Sequence, residues 1–256
     1  MNQKAQRFIL APALCAAACG LLVATAACAQ PAQGYLSSAD GLHIQAWLPP
    51  APAPDSLAQA ADVQAYFSTR AQVATARGEE AHADDVVGPP EAVARRFTYL
   101  MGVTLDRSNA PALMHMMERV RSDEVALMLP VKKDVVEGGR RRPFVEYPDR
   151  PICPLEFAKL ADTGSYPSGH AGLGWLWGAT LAELAPAFAD ALLARGMAFG
   201  ESRVVCGFHY PSDITAAQLA MGALLQRLHA DPQYLKDLAQ AKKEVARALT
   251  TARPGK

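Results

Sequence analysis

The chain has 256 residues with 25 basic and 25 acidic side chains, so its formal net charge is zero. This balance argues against nucleic acid as a partner, because no basic excess is present to bind a phosphate backbone. Half of the residues are hydrophobic and a fifth are charged, which is typical of a globular protein with an ordinary core.

The first residues have the pattern of a secretory signal peptide. A short basic start precedes an almost wholly apolar stretch over 8–29, which ends in a small-x-small cleavage pattern around Cys28. We therefore predict that residues 1–29 are a signal peptide cut before Gln30, and that the protein is periplasmic or secreted. A lipoprotein signal, with Cys28 lipidated, and a retained membrane anchor are the alternatives.

After the signal, the sequence predicts an arm followed by one helical domain. Residues 30–56 are rich in Pro, Ala, Ser and Gly, which favours an extended arm, and residues 57–256 are expected to form a single all-α domain. Helical patterns cover residues 57–76, 91–102, 110–136, 168–184, 187–204, 211–229 and 231–249. No apolar run beyond the signal reaches the roughly 18–20 residues that cross a bilayer, so no further membrane span is expected.

Two cysteines, Cys153 and Cys206, remain once the signal is removed. Two cysteines in an exported chain suggest one disulfide, although the sequence leaves open two buried free thiols. Other polar residues have no metal-ligand spacing, so no metal site is predicted. The acidic pair Asp84-Asp85 is interpreted as a solvated turn.

Three polar clusters could together hold and transfer a phosphoryl group. They are Lys132-Lys133 with Arg140-Arg141-Arg142-Pro143, then Tyr166-Pro167-Ser168-Gly169-His170, and then Ser202-Arg203 with His209 and Asp213. Arginine forks bind two phosphate oxygens and stay charged, and lysine adds a point charge. The loop that enters a helix at Ser168 and Gly169 can aim backbone N–H groups at an anion.

The two histidines suit different steps of such a transfer. Asp213 follows His209 by four residues, a spacing that allows its carboxylate to hold one ring N–H and leave the other nitrogen free to attack phosphorus. His170 would then protonate the leaving alcohol as a general acid.

The clusters resemble the signature of the type 2 phosphatidic-acid phosphatase superfamily, which includes vanadium haloperoxidases, and most closely that of bacterial class A non-specific acid phosphatases. The signature is Lys-x6-Arg-Pro, Pro-Ser-Gly-His and Ser-Arg-x5-His-x3-Asp. Its second and third parts are complete here, at Pro167–His170 and Ser202–Asp213. The resemblance implies an all-α bundle, broad-specificity hydrolysis of small phosphate monoesters through a phosphohistidine, no cofactor, and assembly into homo-oligomers in some members.

The resemblance also implies individual roles. His209 would be the nucleophile, Asp213 its orienting partner and His170 the acid. The phosphate oxygens would be held by Lys133, Arg142, Ser168, Gly169 and Arg203. Two cysteines placed like Cys153 and Cys206 occur in class A relatives, which supports the disulfide.

The first part of the signature departs from the pattern. Strict spacing from Arg142 places the lysine at position 135, which is Val135. If Gly138-Gly139 loops out two residues, Lys133 reaches the phosphate; Lys132 or a neighbouring arginine is the alternative. This departure keeps other functions in view, namely a lipid phosphatase, a vanadium-dependent haloperoxidase and a non-catalytic phosphate-binding protein.

Overall fold

The computed structural model describes residues 32–37, 42–154 and 158–252, so the predicted signal peptide lies outside the described residues. The described chain forms nine α-helices: α1 Leu57–Thr69, α2 Ala76–Ala83, α3 Pro90–Thr98, α4 Pro111–Met128, α5 Pro143–Glu146, α6 Gly169–Leu184, α7 Ala189–Val205, α8 Pro211–Leu228 and α9 Pro232–Ala252. No strand occurs within these residues, where one isolated bridge pairs Asp134 with Thr163. The prediction of an all-α fold is confirmed.

Two helices are shorter than the sequence predicts. The helix predicted over 57–76 stops at Thr69 and continues as a 3₁₀ turn over Arg70–Ala74. The helix predicted over 110–136 ends at Met128, because Pro130 disfavours a helical conformation in the residue before it. The chain beyond Met128 is therefore free to turn into the candidate site.

Helix α6 is the centre of the bundle. Ser168 caps its start by accepting a hydrogen bond from the Ala171 N–H. The helix is apolar on nearly all sides, so it is stable only when neighbours surround it, and α4, α7 and α8 pack against it. The capped end, with its free N–H groups, carries the Pro-Ser-Gly-His segment.

Helices α6 and α7 approach closely through glycines. A Cβ placed on Gly178 would lie 2.8 Å from the Leu192 carbonyl oxygen and 3.0 Å from the Gly196 Cα. Any side chain there would push α7 away from α6. This contact fixes the distance between the Pro-Ser-Gly-His segment and Arg203, which lies near the end of α7.

The described part of the arm packs on the domain. The backbone N–H groups of Tyr35 and Leu36 donate to the buried carboxylate of Asp123 on α4, at 2.8 and 3.0 Å. The Tyr35 hydroxyl donates to Asp237 on α9 at 2.8 Å. Burial raises the pKa of Asp123, and the two N–H groups oppose that effect.

Within the described residues, no helix combines the length and the apolar character needed to cross a membrane.

The glycine contact predicts opposite effects for two Gly→Ala substitutions. Gly178→Ala should lower the free energy of unfolding by about 1–3 kcal/mol, because the new methyl group meets α7 backbone. Gly222→Ala is the matched control, since Gly222 lies in α8 with open space around it and should raise stability by about 0.5–1 kcal/mol. Thermal unfolding followed by circular dichroism measures both. Equal stability of the two variants would contradict the close contact.

Candidate active site

The third cluster forms where α7 turns into α8. Helix α7 ends at Val205, and Gly207 takes a positive φ of 85° that reverses the chain. The N–H groups of Phe208 and His209 then bond back to the Arg203 carbonyl oxygen at 2.9 and 3.3 Å. His209 is thereby placed next to Arg203 and just ahead of α8.

Asp213 holds the Nδ1 side of His209. Its Oδ2 atom lies 3.4 Å from His209 Nδ1 and accepts hydrogen bonds from the Ser165 hydroxyl and the Tyr210 N–H. Its Oδ1 atom lies 2.6 Å from Nη1 of Arg140. Because both oxygens are fixed, the carboxylate can orient the imidazole ring without moving.

The other ring nitrogen of His209 faces Arg142. Nε2 lies 2.9 Å from Arg142 Nη1. A guanidinium can only donate, so Nε2 is the unprotonated nitrogen and Nδ1 carries the proton. Burial, followed by the charges of Arg142, Lys132, Arg203 and His170, lowers the pKa of His209 well below its usual value. The ring is therefore neutral, with a lone pair directed at the cationic groups.

Arg142 and Arg203 are buried side chains with different degrees of pairing. Arg142 donates to backbone oxygens of Phe208, Thr163 and Gly164 at 3.0–3.2 Å, which fixes its plane. Arg203 contacts Asp85 through Nη1 at 2.6 Å, whereas its Nε and Nη2 groups are buried and find no partner among the described residues. Unpaired buried N–H groups are costly, so Arg203 is suited to bind an anion.

Lys132, and not Lys133, has its ammonium group in this cluster. Its Nζ donates to the Pro167 carbonyl oxygen at 2.8 Å, and burial with the charges of Arg142 and Arg203 lowers its pKa to about 7. The Lys133 side chain is exposed. Its carbonyl lies where side chains on Gly139 and Gly164 would clash, so the glycines accommodate backbone and do not turn Lys133 inward.

The Pro-Ser-Gly-His segment lies opposite His209. The Ser168 N–H donates to the Asp213 carbonyl oxygen at 3.1 Å, which joins this loop to the start of α8. Gly169 and His170 form the first turn of α6, where backbone N–H groups have no partner within the helix. The dipole of α6 adds partial positive charge at this point.

His170 is held next to a carboxylate that lies far from it in sequence. Its Nε2 atom is 3.0 Å from Asp85 Oδ1, but the pair is not aligned as a hydrogen bond, and Nε2 has no bonding partner among the described residues. Burial and Arg203 lower the pKa of His170 to about 3, against the opposing effect of Asp85. Nε2 is thus oriented and still able to bond to a ligand.

The interpretation of Asp84-Asp85 as a solvated turn is wrong. The Asp85 side chain is 2% exposed, and Asp84 is fully buried against Arg96, Arg195 and Ser202. Burial acts to raise the pKa of Asp85, but His170 and Arg203 outweigh it and lower the pKa to about 2. One signal was available, since acidic residues at the C-terminal end of a helix oppose its dipole and imply distant cationic partners.

Arg140, considered in the sequence as a substitute for the lysine, supports the site from behind. Its guanidinium contacts Asp213 on one side and Asp62 of α1 on the other, both at 2.6 Å. It also stacks on the Tyr210 ring, with 4.2 Å between Cζ and the ring centroid. The charge of Arg140 is therefore directed at two carboxylates and away from the phosphate side of His209.

The disulfide between Cys153 and Cys206 forms as predicted. The Cys153 N–H also donates to the Cys206 carbonyl oxygen at 3.2 Å. These links join the loop after α5 to the residue that ends α7, three positions before His209. Within the described residues, no group of three His, Cys, Asp or Glu side chains could hold a metal ion.

Comparisons with known proteins agree with this arrangement. Residues 125–236 match the PAP2 superfamily. A non-specific acid phosphatase of Providencia stuartii is 33% identical and covers 83% of this chain and 85% of its own length. An acid phosphatase of Zymomonas mobilis is 34% identical over 87% of this chain and 82% of its own length. A non-specific acid phosphatase of Salmonella typhimurium is 32% identical, with coverages of 88% and 89%.

The class of protein is defined by the fold and by the two complete motifs, and the relatives narrow it further. The chain belongs to the PAP2 superfamily and, within it, to the non-specific acid phosphatases.

Asp85 is expected to act as a positioning residue for His170. Asp85→Asn should lower kcat/KM by roughly 10- to 100-fold, because Arg203 and His170 lose a charged partner. The loss should be larger for alkyl phosphates than for p-nitrophenyl phosphate, since a good leaving group needs little protonation. A His170→Ala variant should show the same dependence on the leaving group. Equal losses for both esters would contradict a role through His170.

Lys132 is expected to make phosphate binding depend on pH. Its lowered pKa means that it loses its charge as the pH rises through about 7, so inhibition by inorganic phosphate should weaken above that pH. Lys132→Arg should retain inhibition to higher pH, because arginine stays charged. Lys133→Gln is the matched control and should follow the wild type, so that ionisation of phosphate itself cancels in the comparison. A larger effect at Lys133 would reverse the assignment.

Proposed function

We propose that the chain is an exported, metal-independent acid phosphatase that hydrolyses a broad range of phosphate monoesters through a phosphohistidine on His209. The observation that carries the proposal is the pairing of a neutral His209, with Nε2 free of its proton, and an Arg203 whose buried N–H groups lack partners. The first group can attack phosphorus, and the second can hold the oxygens around it.

The first chemical step is transfer of the phosphoryl group to the enzyme. His209 Nε2 forms a bond to phosphorus while the bond from phosphorus to the ester oxygen breaks, and His170 gives its proton to that oxygen. Asp213 stabilises the imidazole as it gains positive charge. The attacking and leaving groups lie in line, with His209 on one side of the phosphate and His170 on the other.

In the second step water replaces the histidine. Water attacks phosphorus, the bond from phosphorus to His209 Nε2 breaks, and the proton released from water passes to His170. His170 is thus restored as the acid, and inorganic phosphate leaves. Each step moves one proton and one phosphoryl group, so no oxidant or reductant is involved.

His170 must be protonated to act as the acid, although its pKa is about 3 before substrate binds. A phosphate dianion against Arg203 offsets the positive charge that disfavours imidazolium. Substrate binding therefore raises the pKa of His170 and recruits its own proton. This coupling favours turnover at acidic pH, where protons are available and Lys132 is charged.

The side chains of the site supply the positive charge that the transition state requires. Lys132, Arg142 and Arg203 surround the phosphate position, while Ser168 and Gly169 place it at the helix N-terminus of α6. These groups provide the charge neutralisation for which other phosphatases use metal ions. Metal-independent hydrolysis follows from this inventory.

Export and breadth of specificity rest on separate features. The apolar segment over 8–29 and the disulfide between Cys153 and Cys206 both suit a chain that folds outside the cytoplasm. The protein groups described so far contact the phosphoryl group or one another, so they require little of the alcohol. The site therefore suits many small phosphate monoesters.

The mechanism is tested with p-nitrophenyl phosphate and purified mature chain at acidic pH. Wild type should hydrolyse the ester equally well with and without excess chelator. His209→Ala should lower kcat by more than about 10³-fold and form no phosphoenzyme after an acid-stable quench. His229→Ala is the matched control, since His229 is on the surface next to Glu183 and should retain activity. Chelator-sensitive turnover, or a phosphoenzyme in His209→Ala, would refute the mechanism.

A further inference from the structure

An ion pair on α4 lies beside the acid side of the site and has no part in the mechanism above. Arg121 donates from Nη1 to the Glu124 carboxylate, one turn further along the helix. The Glu124 side chain is 1% exposed, and its Oε1 atom lies 3.5 Å from the position that a Cβ on Gly169 would occupy. The pair is therefore packed against the first turn of α6, next to His170.

The charges around the two histidines show on which side this pair lies. Burial is the largest cause of the lowered pKa of each histidine. Beyond burial, Arg121 is among the charges that act on His170, whereas Arg142 and Lys132 are among those that act on His209. Arg121 is thus on the leaving-group side of the phosphate position.

The two members of the pair differ in what they offer to a ligand. Glu124 is buried, so its carboxylate serves to orient Arg121. The Arg121 side chain is 30% exposed, and within the described residues its one hydrogen bond is the Nη1 donation to Glu124. The rest of its five-donor fork is free to bind an anion.

We propose that Arg121, oriented by Glu124, selects phosphate monoesters whose alcohol part carries a second negative charge, such as a carboxylate or another phosphate. The proposal rests on the proposed function, because it assigns a leaving-group site to the same reaction. It adds a preference to a site that otherwise recognises only the phosphoryl group. Neutral alcohols remain substrates, but they gain nothing from Arg121.

The test compares two substrates that differ at one carbon, 3-phosphoglycerate and glycerol 3-phosphate, the first having a carboxylate where the second has a hydroxymethyl group. We expect the wild type to have the higher kcat/KM for 3-phosphoglycerate. In Arg121→Gln the ratio of the two values should fall about 10-fold, as expected from the loss of one charged hydrogen bond. High salt should lower the wild-type ratio in the same direction.

Two further variants separate recognition from folding. Arg121→Gln/Glu124→Gln removes both charges, so no buried carboxylate is left unpaired, and it should show the same reduced ratio. Arg95→Gln removes one exposed cation of α3 and should keep the wild-type ratio.

The possible outcomes are distinct. A wild-type ratio of one or less, or a ratio unchanged by both Arg121 variants, would overturn the leaving-group site while leaving the phosphatase intact. Failure of the wild type to hydrolyse any ester would refute the proposed function, and the leaving-group site with it.

Discussion

The central constraint on this structure is the burial of positive charge. Lys132, Arg142 and Arg203 converge in the interior, where desolvation of a cation is expensive unless an anion compensates it. The protein supplies Asp85 and Asp213, and each of these is already shared with a histidine. The remaining imbalance makes the site a strong binder of phosphate oxygens, and it also keeps both histidines neutral until substrate arrives.

The bundle is arranged so that these charges meet at short range. The glycine contact between α6 and α7 brings the start of one helix near the end of the other, and the positive φ of Gly207 returns the chain to place His209 between them. The disulfide and the pair formed by Arg140 with Asp62 brace this turn from outside the phosphate position. Rigid backbone and not flexible side chains thus sets the in-line geometry.

The sequence predicted those parts of the site whose residues are close in the chain. His209 and Asp213 are four residues apart, and Ser168 to His170 form one helical turn, so local spacing was sufficient. Asp85 was missed because its partners lie 85 and 118 positions away, and local polarity suggests only a turn. The choice between Lys132 and Lys133 depends on how the chain turns after α4, which the glycines near 138 and 164 determine through contacts absent from the local pattern.

The docking of Tyr35 has a consequence for the order in which the chain can fold. Its hydroxyl bonds to Asp237, 202 positions further on, in the last helix of the described chain. Closing so long a loop is entropically unfavourable until the intervening bundle has already brought its ends together. The earliest residues to emerge after the leader must therefore wait for α9 before they reach their final place. Maturation is complete only when the two ends of the polypeptide meet.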